Sequence, residues 1–158
     1  MPSINPVPEG YRTLAPYLIV ADGVGALAFY ENVLGAKLRF KLDRPDGKIG
    51  HAELQVGDCV VMLADEAPEH QALAPAHFGG SPVSLHLYVA DVDAVVARAT
   101  AAGAMLTRPV RDQFYGDRSG TFVDPFGHVW HVSTHIEDVP PDEITRRAAA
   151  AAQQGQNP

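Results

Sequence analysis

The sequence predicts an α+β protein made of two successive βαβββ modules. Three observations lead there: strands marked by period-two alternation follow a short helix, that order of elements occurs twice, and a Pro/Gly-rich stretch separates the two runs. The repeat is visible residue by residue. VSLHLYVAD (83–91) lies over LAPYLIVAD (14–22), with Leu87 on Leu18, Val89 on Val20, Ala90 on Ala21 and Asp91 on Asp22. The helices that follow stop at Gly35 and Gly103, and strand turns recur at Gly57 and Gly127, so the offset stays at 68–70 residues.

The elements follow in order. Pro2, Pro6, Pro8 and Gly10 make the first ten residues an extended tail. Arg12 to Val20 is apolar and β-compatible, with Leu14, Leu18 and Val20 expected in the core and Pro16 marking an edge or the first part of the strand. After ADGVGA, Leu27, Phe29, Tyr30, Val33 and Leu34 recur at helical spacing until Gly35. AKLRFKL, HAELQV and CVVMLA then read as strands, joined by hairpin signals at Asp46-Gly47 and Gly57-Asp58. The organisation is a first module at 11–64, a linker loop at 65–82, a second module at 83–138 and a C-terminal helix and tail at 139–158. That last helix opens near Asp138 or Pro140-Pro141, is small or polar on every face, and leads into a tail, QQGQNP, expected to be disordered.

Composition narrows the function classes. The 158 residues include 12 Lys+Arg against 19 Asp+Glu, a net charge of -7, with no basic cluster to neutralise phosphates, so no nucleic-acid partner is expected. The same balance disfavours an anionic membrane, and no apolar run is long enough to span a bilayer. One cysteine forms no internal disulfide and the amino terminus lacks a signal-peptide pattern, so the expectation is a soluble cytoplasmic protein.

Candidate site residues come from sorting each strand by face. Ala52, Leu54 and Val56 alternate with His51, Glu53 and Gln55; Leu85, Leu87 and Val89 alternate with Ser84, His86 and Tyr88. Trp130 and Val132 alternate with Val129, His131 and Ser133, and Tyr17 shares a face with Ala15 and Ile19. If these polar faces line one concave sheet, they form a convergent polar cluster of the kind that binds a small molecule. Glu53, His86 and His131 are the candidate catalytic groups, since a histidine titrating near ~6.5 beside a carboxylate suits proton transfer at neutral pH. Tyr17, His51, Gln55, Ser84, Tyr88 and Ser133 are candidate substrate contacts, joined by Arg118, read as a loop residue over the cavity mouth or else a surface partner of Asp117. Phe114, Tyr115, Phe122 and Trp130 are expected in the core, Cys59 in packing, and His70 and His77 in solvent.

The βαβββ repeat, the first helix ALAFYENVLGA and the final hairpin DPFGHVWHV resemble the vicinal oxygen chelate superfamily, which includes glyoxalase I, bleomycin-resistance proteins, extradiol dioxygenases and fosfomycin-resistance enzymes. HAELQVGDCVVMLADE and YGDRSGTFVDPFGHVWHVSTHIED are most similar to its PhnB-like branch, and the resemblance runs from Tyr11 to Asp138. It implies a curved mixed sheet around a cavity, helices on the convex face, and a homodimer. The family's metal enzymes take one ligand from the first and last strand of each module. Those positions here would be Ala15, Val61, Ser84 and His131, of which His131 alone is a good donor. A displaced set of His86, Glu53 and His131 is the remaining way to hold a divalent Zn, Ni, Mn or Fe ion.

Two functions stay open on the sequence. One is an enzyme, a glyoxalase-like lyase or isomerase or a dioxygenase-type member with a degenerate metal site. The other is a non-catalytic protein that sequesters a drug-like molecule. The titratable groups at 51, 53, 86 and 131 favour the first; the missing ligands at 15, 61 and 84 favour the second or a metal-free reaction.

Overall fold

Each module opens with a short strand whose last turn becomes the cap of a helix. The computed structural model describes residues 4–155, so the readings made for residues 1–3 and 156–158 lie outside the described residues. In the first module β1 (Tyr17–Val20) leads into α1 (Gly23–Leu34), then β2 (Lys37–Asp43), β3 (Ile49–Val56) and β4 (Cys59–Asp65). In the second, β5 (Ser84–Tyr88) leads into α2 (Val92–Ala101), β6 (Met105–Asp112), β7 (Asp117–Val123) and β8 (Val129–His135). A last helix, α3 (Pro141–Gln153), follows. Hydrogen bonding gives two four-stranded sheets, β1-β4-β3-β2 and β5-β8-β7-β6. In each, the first pair is parallel and the others antiparallel.

The repeat extends to individual hydrogen bonds. Asp22 and Asp91, both in extended backbone, cap their helices by accepting from Gly25 N at 2.9 Å and Ala94 N at 3.0 Å. The first N–H of each helix turns inward to the final strand of its own module. Gly23 N donates to Asp65 Oδ1 at 2.8 Å, and Val92 N donates to Thr134 Oγ1 at 2.9 Å. Asp65 is buried and also accepts from Ile49 N at 2.7 Å, so one carboxylate joins α1, β3 and β4. Glycine at position 23 follows from this: a Cβ there would sit 2.5 Å from Asp65 Oδ2 and 3.0 Å from the Ile49 Cβ.

Each core lies between its helix and its sheet. Ala26, Leu27, Tyr30 and Val33 of α1 are buried over the sheet with Leu54 and Leu63, and Leu18 and Val20 of β1 are buried too; Val92, Val95, Val96 and Ala99 of α2 are buried over Phe122, Trp130 and Val132. Burying each large apolar side chain contributes about 1.5–3 kcal/mol. Trp130 is anchored by donating its indole N–H to Asp124 at 2.9 Å. The chain forms two compact units, residues up to Pro82 with 125–128, and 83–124 with 129 onward; within the first, Phe126 packs edge-on against Phe29. Among the described residues no helix is long and apolar enough to cross a membrane.

Two local expectations are corrected. The first strand begins at Tyr17 rather than Arg12, because Pro16 has no N–H to donate; Leu14, expected in the core, is 84% exposed. The 65–82 stretch starts within β4, and two 3₁₀ turns, Pro68–His70 and Pro75–Phe78, give it structure. His77 is exposed, as expected, and pairs with Glu66 at 2.7 Å. Helix α3 buries no residue, and Arg147 ties it to the second unit through Glu137 and the Phe114 carbonyl.

Replacing Gly23 by Ala should displace Asp65 and leave two buried N–H groups poorly satisfied. Gly23→Ala and Asp65→Ala should each lower stability by about 1–3 kcal/mol in urea denaturation, whereas Gly25→Ala, beside the solvent-facing Asp22 cap, should cost less. Equal losses at positions 23 and 25 would rule out the Asp65 account.

Candidate functional site

Directly paired residues of neighbouring strands share a face, so the registers place side chains in rows across each sheet. In the second unit one row runs His86 (β5), His131 (β8), Thr121 (β7) and Arg108 (β6). The next runs Tyr88, Ser133, Ser119 and Arg111. These rows, apart from Tyr88, line a cavity of about 250 Å³ together with Gln113 and Tyr115, on the face opposite α2. His131 Nδ1 and Thr121 Oγ1 are 2.8 Å apart, and the His86 and His131 ring centroids are 6.2 Å apart. Ser133 is fully buried, and its hydroxyl has no hydrogen-bond partner among the described residues.

The second unit holds another polar cluster beside this cavity. Asp117 is buried; it accepts from Tyr88 Oη at 3.0 Å and pairs with His135 Nδ1 at 2.8 Å. His135 Nε2 reaches Asp138 at 2.8 Å, so both ring nitrogens face carboxylates. Hydrogen bonds to Asp138 and then Asp117 raise the His135 pKa, and the Asp117 hydrogen bond raises that of Tyr88. His131 moves the other way: burial, then the neighbouring His86 and Arg108, lower its pKa and keep its ring neutral.

The first unit has the same framework and different chemistry. Tyr17 Oη lies 2.8 Å from His51 Nδ1, His51 Nε2 lies 3.2 Å from Glu53 Oε1, and Tyr11 donates to Glu53 Oε2. The result is one hydrogen-bonded chain, Tyr17–His51–Glu53–Tyr11. The Tyr11 hydrogen bond, reinforced by His51, lowers the Glu53 pKa and keeps the carboxylate ionised; burial raises the Tyr17 pKa. Apolar Phe40 and Met62 pair with Glu53 on either side.

The structure sorts the sequence candidates. Tyr17, His51 and Glu53 come together in the first unit, and His86, His131 and Ser133 in the second. Gln55 is occupied elsewhere: its amide donates to the carbonyls of Gly57 and Cys59, bracing the β3–β4 turn. Ser84 pairs with Val129 outside the cavity, and Tyr88 is committed to Asp117. Arg118 is corrected. It lies in strand β7 rather than a loop, on the face toward α2, where Asp93 and Asp112 hold the guanidinium at 2.7 and 2.8 Å. Phe122 and Trp130 are core residues, whereas Tyr115, expected in the core, lines the cavity.

Arg108 and Arg111 are the site residues the sequence reading missed. Three residues apart, they would face opposite sides of a regular strand. Register shifts on both sides of Arg108 bring them to one face, and the intervening Pro109, which cannot donate to a sheet, is the signal that marks the irregularity.

The metal expected from the fold family does not fit the residues present. The counterpart of His131 is Met62, since Tyr17 pairs with Met62 as His86 pairs with His131; Val61, carried over from the sequence, is buried against Leu54 on the helix-facing side. Ala15, Met62 and Ser84 offer no charged or imidazole donor. In the displaced set Glu53 is held by Tyr11 and His51, and among the described residues no group of three His, Cys, Asp or Glu side chains is arranged to hold a metal ion.

Comparison with known proteins gives consistent matches. The family model for the Glyoxalase/Bleomycin resistance protein/Dioxygenase superfamily matches residues 12–132. An uncharacterized protein of Mycobacterium tuberculosis strain H37Rv is 40% identical over 145 residues, covering 90% of this chain and 84% of its own. Among solved structures, protein PA1353 from Pseudomonas aeruginosa is similar at a TM-score of 0.64 and 28% identity, covering 80% of this chain and 99% of that one. TioX from Micromonospora sp. ML1 is similar at 0.61 and 28%, covering 79% and 99%.

The opposed histidine shifts can be read by NMR. The His131 ring should titrate below, and the His135 ring above, an ordinary histidine near ~6.5. Because His135 gains its proton more readily when folded, its stabilising contribution is present below the unfolded pKa and fades as pH rises through the folded value. His135→Gln should therefore narrow the wild-type loss of thermal stability over that rise. An unchanged pH dependence in the variant would refute the Asp117–His135–Asp138 assignment.

Proposed function

The chain belongs to the Glyoxalase/Bleomycin resistance protein/Dioxygenase superfamily, and from that premise we propose that it binds a small organic molecule in the cavity of its second unit. The observation that carries this reading is the Ser133 hydroxyl, buried on the cavity wall without a partner among the described residues. A buried polar group left unsatisfied costs about 1–3 kcal/mol, and a ligand that bonds to it recovers that loss. His131, fixed through Nδ1 by Thr121, has its Nε2 left to meet a ligand, and His86 adds a second imidazole in the same row.

A second, enzymatic reading is favoured by the first unit. In the Tyr17–His51–Glu53–Tyr11 chain the imidazole lies within hydrogen-bond reach of an ionised carboxylate and a phenol, an arrangement that suits general acid–base work. Under this reading Glu53 positions and polarises His51, and Tyr17 orients its other nitrogen. A cytoplasmic location stays part of the proposal, on the single-cysteine argument. So does a homodimer: β2 is a sheet edge with all seven residues exposed, and a second copy of this chain would cover Leu38, Phe40 and Leu42.

A fragment screen by thermal shift and amide NMR tests the binding reading. Hits should perturb Thr121, His131 and Ser133, and Ser133→Val should weaken them by about tenfold. Shifts confined to other surfaces would refute it. The enzymatic reading is tested separately at the first unit: for any compound the protein converts, His51→Ala and Glu53→Gln should abolish turnover, and conversion that survives both changes excludes that reading. Light scattering should report a dimer that Phe40→Asp dissociates.

A further inference from the structure

The wall of the second unit's cavity carries a charge pattern unlike the rest of the molecule. In a chain of net charge -7, the wall contains two arginines and two histidines and no carboxylate. Elsewhere Arg12, Arg44, Arg118, Arg146 and Arg147 each pair with an Asp or Glu. The guanidiniums of Arg108 and Arg111 have neither a hydrogen bond nor a carboxylate partner among the described residues. Asp117, two positions along β7 from Ser119 and alternating onto the same face, is taken by His135 and Tyr88.

The arrangement of donors has a direction. The guanidiniums stand on the edge strand β6, the hydroxyls of Thr121, Ser119 and Ser133 fill the middle of the two rows, and the imidazole of His131 lies beside them. A cation would meet two guanidiniums. A neutral ligand would leave the positive field of the wall uncompensated. An oxyanion is acceptor-only: it takes the forked N–H pairs of arginine in the geometry they favour, and also accepts from the buried Ser133 hydroxyl. Building on the ligand-binding reading, on which it rests, we propose that the cavity is a site for a small organic anion. Its carboxylate or phosphate group is held by Arg108 and Arg111, with Ser133 as the inner donor and the organic part against Tyr115. The irregular strand around Pro109 is then functional, because the register shifts are what put both arginines on the wall.

Amide NMR titration and calorimetry on the intact chain test this with benzoate, phenyl phosphate, the neutral benzamide and inorganic phosphate. Benzoate or phenyl phosphate should shift Ser119, Thr121 and His131, bind more weakly as salt is raised, and move the His131 titration upward. Benzamide should bind at least about tenfold more weakly than benzoate. Arg108→Ala and Arg111→Ala should each weaken the anion by a similar factor at unchanged thermal stability, while Arg12→Ala leaves it unchanged. Benzamide binding as well as benzoate, with both arginine variants neutral, would overturn the anion assignment and leave the ligand-binding reading standing. Inorganic phosphate binding as tightly as phenyl phosphate would overturn the organic part of the assignment. Silence of the cavity resonances with all four probes would overturn the anion assignment, and the ligand-binding reading falls separately if neutral fragments are silent there too.

Discussion

The first N–H of each helix needs an acceptor, and in both modules it finds one on the last strand of its own sheet. Gly23 N on Asp65 and Val92 N on Thr134 occupy equivalent places in the repeat. This bond links the helix to β4 or β8, and the helix is joined directly to β1 or β5. It therefore helps hold the two strands side by side and parallel, in the shared register that aligns Tyr17 with Met62 and His86 with His131. Every row of side chains on the two polar faces depends on that register. The two modules satisfy the same need with different strength. A buried carboxylate serves three elements in the first module, and a hydroxyl serves one N–H in the second.

On this common framework the two polar faces have diverged in charge. The first face has an ionised carboxylate enclosed by two tyrosines and a histidine, flanked by Phe40 and Met62. The second has two imidazoles, two guanidiniums and a line of hydroxyls. Backbone hydrogen bonding tolerates such exchange, because outward positions of a strand contribute little to its ladder. It is the helix-facing positions, Leu54 and Leu63 in one unit and Phe122 and Val132 in the other, that have to remain apolar.

That division explains what was legible in the sequence. Alternation along β3, β5 and β8 sorted His51, Glu53, His86, His131 and Ser133 onto the right faces, since those strands are regular where these residues sit. It failed where regularity fails. Arg108 and Arg111 lie across register shifts that no period-two rule can follow, and Leu14 precedes a proline that delays the strand. Other losses were of partnership rather than position. Gln55 is on the expected strand, but its amide braces a turn; Arg118 reads as a loop residue beside glycines and is instead held by Asp93, distant in sequence. Side-chain pairing between separate elements leaves no local mark in a sequence.

The metal positions illustrate the same point about charge. A divalent ion needs several anionic or imidazole donors converging, and the residues at the family's ligand places are Ala15, Met62, Ser84 and His131. One imidazole among those four places does not make up such a donor set. The positive charge now comes from Arg108 and Arg111, covalently part of the chain and independent of metal supply. The two arrangements are alternatives for one electrostatic role. A metal centre concentrates positive charge at a point, and paired guanidiniums spread it across a face with fixed hydrogen-bond directions. A site of the second kind orients an anionic group by its lone pairs, and here the register shifts on either side of Arg108 are what bring the two guanidiniums to one face.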